Sequence, residues 1–76
     1  MIKFNFKALL DDKEFKESRK IKYEEISKAT GISRQTLSKI ASVKGYKTNT
    51  DNIEKLCSYF NCTPDELMTI IPDKKE

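Results

Sequence analysis

The residues best suited to hydrogen-bond chemistry lie close together between positions 33 and 41. A guanidinium, a carboxamide, an ammonium and two hydroxyls occur there without an acidic residue among them: Arg34, Gln35, Thr36, Ser38 and Lys39. An arginine can bond guanine O6 and N7 together, and a glutamine can do the same with adenine N6 and N7. Residues of these types on one exposed helix face would suit the recognition of base edges.

A first short helix over residues 23–30 is predicted upstream of this set. Tyr23, Ile26 and Ala29 form an apolar stripe at i, i+3 and i+6. Glu24 and Glu25 fall in the first turn, where carboxylates stabilise the positive end of a helix.

A tight turn and a second helix over residues 33–41 follow. Gly31 can adopt the positive φ that ends a helix, and Ser33 is a good N-cap. Leu37, Ile40 and Ala41 would face inward, which leaves the donors outward, as reading of the major groove requires. From spacing alone, an ordinary helical hairpin with solvated Arg34 and Lys39 remains an alternative.

Two segments carry a family resemblance. Residues 30–40, TGISRQTLSKI, resemble the helix-turn-helix of the Cro/CI-type (XRE-like) regulators. Residues 50–67, TDNIEKLCSYFNCTPDEL, are similar to the last two helices of that family, so the resemblance covers residues 6–67. It implies one all-α, compact five-helix, lambda-repressor-like domain over residues 1–76. The implied function is sequence-specific binding of double-stranded DNA for transcriptional control, with repression as the expected action.

The resemblance also implies roles for individual residues. Arg34, Gln35 and Lys39 match positions that read bases in the family, with Thr36 and Ser38 as lesser candidates. The resemblance sets Lys22 and Tyr23, at the start of the first motif helix, against phosphate, and it brings Lys44 and Lys47 to the other strand. Ser33 is a further phosphate candidate at the start of the second motif helix. By residue type, Thr48 and Asn49 in the loop after the motif also suit phosphate, and a solvated loop remains an alternative for each of the four loop residues. Lys22 stands where the family usually has a Ser or Thr cap, so we expect the first motif helix to lack a side-chain cap.

The charge distribution agrees with a polyanionic partner. Residues 19–47 hold eight basic and two acidic residues, whereas the rest of the chain holds seven basic and ten acidic ones. From position 26 to position 50 there is no acidic residue. A basic centre between acidic ends indicates a partner bound in one orientation.

The two ends of the chain are predicted to pair as a small antiparallel β-ribbon, with a helix following the first strand. Residues 1–5 alternate between apolar and polar, and residues 67–72 are rich in β-branched side chains and stop at Pro72. Asn5 is a plausible N-cap for a helix running to about Ser18, with Phe6, Leu9 and Leu10 facing the core. Phe15 fits that face poorly and is expected to pack on the loop at 19–21, with exposure for a partner as the alternative.

The second half of the chain is predicted to hold two further helices. Thr50 would cap a helix whose inner face is Ile53, Leu56, Cys57 and Phe60, and Asn61 would end it in the left-handed conformation. Residues 63–66, TPDE, form a capping box with proline at the first helical position.

The two cysteines do not suggest a metal site, because Cys57 and Cys62 are five positions apart and the chain has no histidine. On a continuous helix they would point in different directions, so we interpret them as buried apolar thiols. No nucleophile–base pair and no phosphate-binding glycine loop is visible. We therefore expect no enzyme activity, no cofactor and no small-molecule ligand.

One recognition helix covers only a few base pairs, so we expect a homodimer on a palindromic operator. An antitoxin-like protein-interaction module on the same scaffold remains an alternative, although the tail at 73–76 is short and polar. An RNA-binding module is a second alternative, with Tyr46 as its one well-placed aromatic. No segment has the length of a membrane span or a signal peptide, so a cytoplasmic location in a bacterium, phage or mobile element is expected.

Overall fold

The computed structural model describes residues 1–72. Its elements are, in chain order, β1 (Ile2–Phe4), α1 (Phe6–Glu17), α2 (Tyr23–Thr30), α3 (Arg34–Ser42), α4 (Thr50–Phe60), α5 (Pro64–Leu67) and β2 (Met68–Ile70). The predicted architecture, five helices and a ribbon made of the chain ends, is confirmed. The polar tail at 73–76 lies outside the described residues.

The ribbon joins the two ends of the described chain. β1 and β2 are antiparallel, and Ile2 pairs with Ile70. Beyond the strands, the Ile71 N–H donates to the Met1 carbonyl at 2.8 Å, and the Asn5 N–H donates to the Leu67 carbonyl at 2.7 Å. The second of these bonds joins the start of α1 to the end of α5.

Asn5 stands at the N-cap position of α1, but its side chain does not cap the helix as expected. Its Nδ2 instead donates to the Glu66 carbonyl and to Thr69 Oγ1, both at 3.1 Å. The antiparallel ribbon brings those acceptors close, so a bond across the ribbon replaces the local one.

Phe6 lies at the centre of the helical core. Its ring meets Tyr23 of α2 and Phe60 of α4 edge to face, with centroids 5.6 Å apart in both cases. The buried core draws one or two residues from each helix and from the connections: Phe6, Leu10, Ile21, Ile26, Ile32, Leu37, Ile40, Leu56 and Leu67. Leu9 and Ile53 are half-buried against it.

The connection between α1 and α2 is closed by Ile21. Ser18 ends α1 in the left-handed conformation, and the Ile21 N–H donates to Glu14 Oε2 at 2.8 Å. Ile21 is only 5% exposed and covers the core itself. The expected packing of Phe15 on this loop is therefore wrong, and Phe15 is 84% exposed.

The inner face of α2 is shifted from the predicted stripe. Ala29 is exposed, whereas Thr30 is buried. The Thr30 hydroxyl donates to the Ile26 carbonyl at 2.7 Å and accepts from the Ile32 N–H at 3.2 Å. Because its polar group is satisfied locally, Thr30 is buried at little cost.

The second half follows the prediction except at one cap. Asn49, not Thr50, is the N-cap of α4, and its Oδ1 accepts from the Asn52 N–H at 2.8 Å. The left-handed Asn61 and the capping box at Thr63 are confirmed.

Candidate nucleic-acid interface

The turn between α2 and α3 is formed as the sequence predicts. Gly31 ends α2 at φ +79°, and its N–H donates to the Ser27 carbonyl at 2.7 Å. Ile32 is buried in the core, and Ser33 begins the next helix, where its Oγ accepts from the Thr36 N–H at 3.1 Å. Since α2 packs against α3, this turn fixes the direction of α3.

The helix α3 has one buried face and one polar face. Leu37 and Ile40 are buried in the core, and Ala41 is half-buried. Four of the five residues predicted to read bases lie on the opposite side and are exposed: Arg34, Gln35, Ser38 and Lys39. The exposed set therefore spans the helix from its first turn to its last.

Thr36, the fifth predicted base reader, lies in a different environment. It is half-buried, and its Oγ1 accepts from the Ser33 hydroxyl at 3.0 Å. Both hydroxyls are thus engaged at the helix start. The first backbone N–H groups of α3 have no partner inside the helix, which leaves a positive helix end beside Ser33 and Arg34.

The basic residues between positions 19 and 47 differ in whether an acidic side chain of the protein already pairs with them. Arg19 bonds both carboxylate oxygens of Glu25, at 2.8 and 2.6 Å, and Lys28 pairs with Glu24 at 3.8 Å. Within residues 1–72, no ion pair involves the basic side chains of the polar face of α3 or of the loop that follows it: Arg34, Lys39, Lys44 and Lys47. These four cations are matched by no acid in the described chain.

The predicted phosphate contacts at the start of α2 are also accessible. Lys22 is exposed at the N-cap position and makes no side-chain cap bond, as its type predicts. Tyr23 is half-buried against Phe6, and burial raises the pKa of its hydroxyl.

Lys20 is a candidate that the sequence reasoning missed. It lines a depression at the start of α2 with Lys22, Lys28 and two carboxylates, Glu24 and Glu25, which pair with Lys28 and Arg19. The signal was present in the sequence, because three basic residues occur between positions 19 and 22. Of these three, the two lysines are the ones outside the ion pairs of the described residues, which makes Lys20 a fitting phosphate ligand.

The remaining residues predicted to bind phosphate belong to the loop after α3 and lie at two different places on the surface. Lys44 lines a depression with Ile40 and Val43 at the C-terminal end of α3. Lys47, Thr48 and Asn49 instead line a groove with α4 and the ribbon. Both lysines are exposed, whereas Thr48 is half-buried and its Oγ1 accepts from Asn52 Nδ2 at 2.9 Å.

The two thiols contact each other, contrary to the expectation that they point apart. The helix α4 ends at Phe60, and the left-handed Asn61 turns the chain so that the Cys62 N–H donates to the Cys57 carbonyl at 2.9 Å. Burial, and then the neighbouring Cys57, raise the pKa of the Cys62 thiol to about 11. Both thiols are half-buried, and Cys62 is held in its neutral, less nucleophilic form.

Taken together, the described residues present an exposed donor-rich helix face, with unmatched cations at the end of that helix and in the loop after it. Arg, Lys and Gln side chains in this arrangement have the donors that base edges and phosphate oxygens accept. No helix within residues 1–72 is long and apolar enough to cross a membrane.

Comparison with known proteins agrees with this architecture. A family model described as a Cro/C1-type HTH DNA-binding domain matches residues 8–73 of the 76-residue chain. A comparison with curated proteins returned no match. Since the family match spans the turn, both helices of the motif and the helices that support them, the chain belongs to the Cro/C1-type helix-turn-helix DNA-binding family.

Proposed function

We propose that this protein is a sequence-specific transcriptional regulator that reads the major groove of double-stranded DNA with α3. The observation that carries the proposal is the polar face of α3. Its four donors are exposed, no acid of the described chain pairs with Arg34 or Lys39, and the opposite face is anchored in the core by Leu37 and Ile40. The helix is therefore held rigidly while its outer face stays available.

Different side chains would supply specificity and affinity. Arg34 and Gln35 lie in the first turn, the part of a recognition helix that reaches base edges. Lys39 and Ser38 extend the same face. The exposed lysines at 20, 22, 44 and 47 would bind phosphate oxygens, which fixes the register of the helix on the duplex but carries no sequence information.

We further propose that two copies bind one operator and that the whole chain, residues 1–76, acts as a single domain. One α3 spans only a few base pairs, so a single copy has little specificity. Two copies related by a two-fold axis would bind half-sites about one helical turn apart. Occupation of such a site over a promoter is sufficient to repress transcription, and we propose repression as the action.

Selection from random duplex DNA tests the proposal. The expected result is one preferred sequence with two-fold symmetry and a half-site spacing near one helical turn. An excess of duplex RNA should not displace the selected DNA. Recovery of fragments without a common sequence, or displacement by RNA, would refute sequence-specific reading of DNA.

The role of the first turn of α3 is tested by two single substitutions. Arg34→Ala and Gln35→Ala should each remove discrimination at one or two base pairs of the selected site, by about 1–3 kcal/mol for a bidentate contact. Binding to unrelated duplex should change much less. Phe15→Ala on α1 is the control, because Phe15 is also exposed to solvent but lies on a different helix. Uniform losses on every sequence from both α3 variants would contradict base reading.

A further inference from the structure

The two cysteines of the chain meet at the C-terminal end of α4, where Asn61 adopts the left-handed conformation. The Asn61 N–H donates to the Ser58 carbonyl at 3.3 Å. The Cys62 N–H donates to the Cys57 carbonyl at 2.9 Å. This pair of bonds is a common way to end a helix, and the side chains at the two ends of the longer-range bond usually contact each other. In this chain, both of those side chains are thiols.

The backbone geometry of this turn suits a disulfide bond. The hydrogen bond from Cys62 to Cys57 joins the two backbones at 2.9 Å. Together with the standard bond lengths on either side, it limits the distance between the two Cα atoms to about 6.8 Å. Disulfides span Cα–Cα distances of about 4.4–6.8 Å. The fold therefore holds the two residues within reach of an S–S bond while both thiols are still reduced.

The two side chains also share one environment. Both are half-buried and pack against the core, and the Cys57 thiol interacts directly with that of Cys62. Within residues 1–72, no group of three or more metal-ligating side chains is present. The pair therefore has no further protein ligands nearby for a zinc ion, and the chemistry that fits two adjacent thiols is their oxidation to a disulfide.

A small oxidant can reach Cys57 from solvent. This residue lines a groove of about 980 Å³ between the ribbon, the loop before α4 and α4 itself. Cys62 lies outside that lining, and burial beside Cys57 raises the pKa of its thiol. Because attack on an oxidant requires a thiolate, the neutral Cys62 is the slower of the two to react. Cys57 is therefore the residue that an oxidant meets first.

We propose that Cys57 and Cys62 form a reversible intramolecular disulfide in the folded chain when a peroxide is present. The Cys57 thiolate attacks one peroxide oxygen, the O–O bond breaks, and a sulfenic acid forms on Cys57. The hydroxide that leaves takes up the proton lost by the thiol, so the first product is water. The Cys62 sulfur then attacks the Cys57 sulfur, and its proton leaves with the sulfenic hydroxyl as a second water.

The electrons and the reverse reaction are accounted for by the same two sulfurs. They lose two electrons in total, and the peroxide gains both as its O–O bond is cleaved. A dithiol reductant reverses the reaction by thiol–disulfide exchange. The modification therefore needs a peroxide in one direction and a dithiol in the other.

The bond would stabilise the fold at the turn between α4 and α5. It closes the loop between positions 57 and 62, which removes conformational entropy from the unfolded chain. The turn leads directly into α5, and the Leu67 carbonyl at the end of α5 accepts from the Asn5 N–H at 2.7 Å. The oxidised chain would thus resist unfolding more strongly than the reduced chain.

Treatment of the full chain with hydrogen peroxide tests the proposal. Mass spectrometry should show the loss of two hydrogen atoms, and iodoacetamide should then alkylate neither thiol. Non-reducing electrophoresis should show a single chain, and dithiothreitol should restore both thiols. The melting temperature of the oxidised chain should exceed that of the reduced chain by about 5–15 °C. Oxidation to sulfinic acids without an S–S bond, or disulfides between two chains, would overturn the proposal.

The matched control keeps two thiols but separates them. Cys57→Ser combined with Glu54→Cys leaves one thiol in the groove, because Glu54 also lines it. That thiol lies three positions earlier on α4, about 4.5 Å farther from Cys62 along the helix axis. Its intramolecular bond should form at least about tenfold more slowly than the native one. Closure as fast as in wild type would show that the turn does not position the thiols.

A single substitution identifies the thiol that reacts first. In Cys62→Ser, the sulfenic acid on Cys57 has no thiol partner and should be trapped in high yield by dimedone. In Cys57→Ser, the remaining Cys62 should give much less adduct, because its thiol is held neutral. Circular dichroism of both variants should show the wild-type helix content, which excludes misfolding as the cause. Equal adduct yields would overturn the order of attack.

Equilibrium with dithiothreitol separates a bond favoured by the fold from one that any flexible chain would form. A bond that stabilises the folded chain must be stabilised by folding to the same extent. The effective concentration of the two thiols should therefore be at least about tenfold higher in the native chain than in concentrated urea. An equal or lower value in the native chain would mean that the fold strains the bond, and it would overturn the proposal.

Discussion

Arg19 and Arg34 carry the same guanidinium group but have different partners. Arg19 donates to both oxygens of Glu25 and, through Nε, to Glu17 at 3.0 Å. Within residues 1–72, Arg34 has no ion pair and projects from α3. A cation whose charge is already balanced by a carboxylate attracts a phosphate less strongly than an unpaired one. The number of basic residues between positions 19 and 47 therefore overstates the charge that is available to DNA.

The salt dependence of binding should reveal which lysines contact phosphate. Lys44→Ala should weaken binding to all sequences about equally and reduce the slope of log K against log salt by about 0.9, the value for one neutralised phosphate. The measurement is a titration of labelled duplex at several salt concentrations. Lys16→Ala, on α1 and paired with Asp12 at 3.2 Å, should leave the slope unchanged. If Lys44→Ala instead changed the base preference, Lys44 would contact bases and not phosphate.

Capping side chains and glycine determine where several helices begin and end. One of these caps, Asn49, also fixes a loop of the candidate interface. Asn49 caps α4 by accepting from the Asn52 N–H, and the Asn52 side chain in turn donates to Thr48. This pair of bonds fixes the end of the loop that carries Lys47. The loop is therefore held at its α4 end by polar contacts, while Gly45 provides the positive φ of +64° needed in its middle.

The corrected cap of α4 can be tested by two neighbouring substitutions. Asn49→Ala should lower the free energy of unfolding by about 1 kcal/mol, because the Asn52 N–H loses its acceptor. Thr50→Ala is the matched control, since Thr50 is exposed and is the first residue inside the helix. Its effect should be within about 0.5 kcal/mol of zero. Urea denaturation of both variants gives the comparison, and a larger loss for Thr50→Ala would return the cap to position 50.

The molecule as a whole is held together by contacts between residues far apart in the chain. Phe6 joins α1 to α2 and α4 through its edge-to-face ring contacts. The ribbon joins the first and last elements, and Arg19 joins the end of α1 to α2 through Glu25. The helix α3 is anchored to this frame through Leu37 and Ile40. Loss of these contacts between distant residues would therefore misplace α3 even if the sequence of α3 were unchanged.

The acid stability of the fold should depend on Arg19. Its guanidinium lowers the pKa of Glu25 below the ordinary value of 4.5, and the ammonium of Lys13 lowers that of Glu17 in the same way. A carboxyl with a lowered folded-state pKa stabilises the fold fully above its unfolded pKa. That contribution is lost as the pH falls through the folded-state pKa. Wild-type stability should thus decrease on acidification below 4.5.

Arg19→Met is the variant that isolates this contribution. It should be less stable than wild type at neutral pH, and the difference should shrink toward zero by about pH 2, where the carboxyls are protonated in both proteins. NMR titration should show the pKa of Glu25 moving back up toward 4.5. Lys16→Met, which removes an exposed pair on α1, serves as the control. A wild-type advantage that stays constant with pH would mean that Arg19 acts through packing alone.

Local chemistry made much of the fold predictable. Gly31, Ser33, Asn61 and the Thr63 capping box act on backbone groups within a few positions, so their effects can be deduced from spacing. Leu37 and Ile40 are three positions apart, which indicates the buried face of α3. The polar face of α3 follows directly, because a helix that buries one side must expose the other.

Other features depended on residues distant in the sequence. Asn5 bonds across the ribbon instead of capping α1 because pairing of the chain ends brings Thr69 to it. Phe15 is exposed, whereas Ile21 of the following connection is buried and covers the core itself. Cys57 and Cys62 meet because α4 ends before the second thiol.

The sequence by itself therefore determined the helices, the caps at Gly31, Ser33, Asn61 and Thr63, and the donor-rich face of α3, since these depend on near neighbours along the chain. Only the tertiary structure decided which cations are matched by acids, which acceptors the Asn5 side chain meets and which apolar residues remain uncovered. Each of these features depends on distances in space between different elements. The hydrophobic pattern of a single element gives no information about those distances.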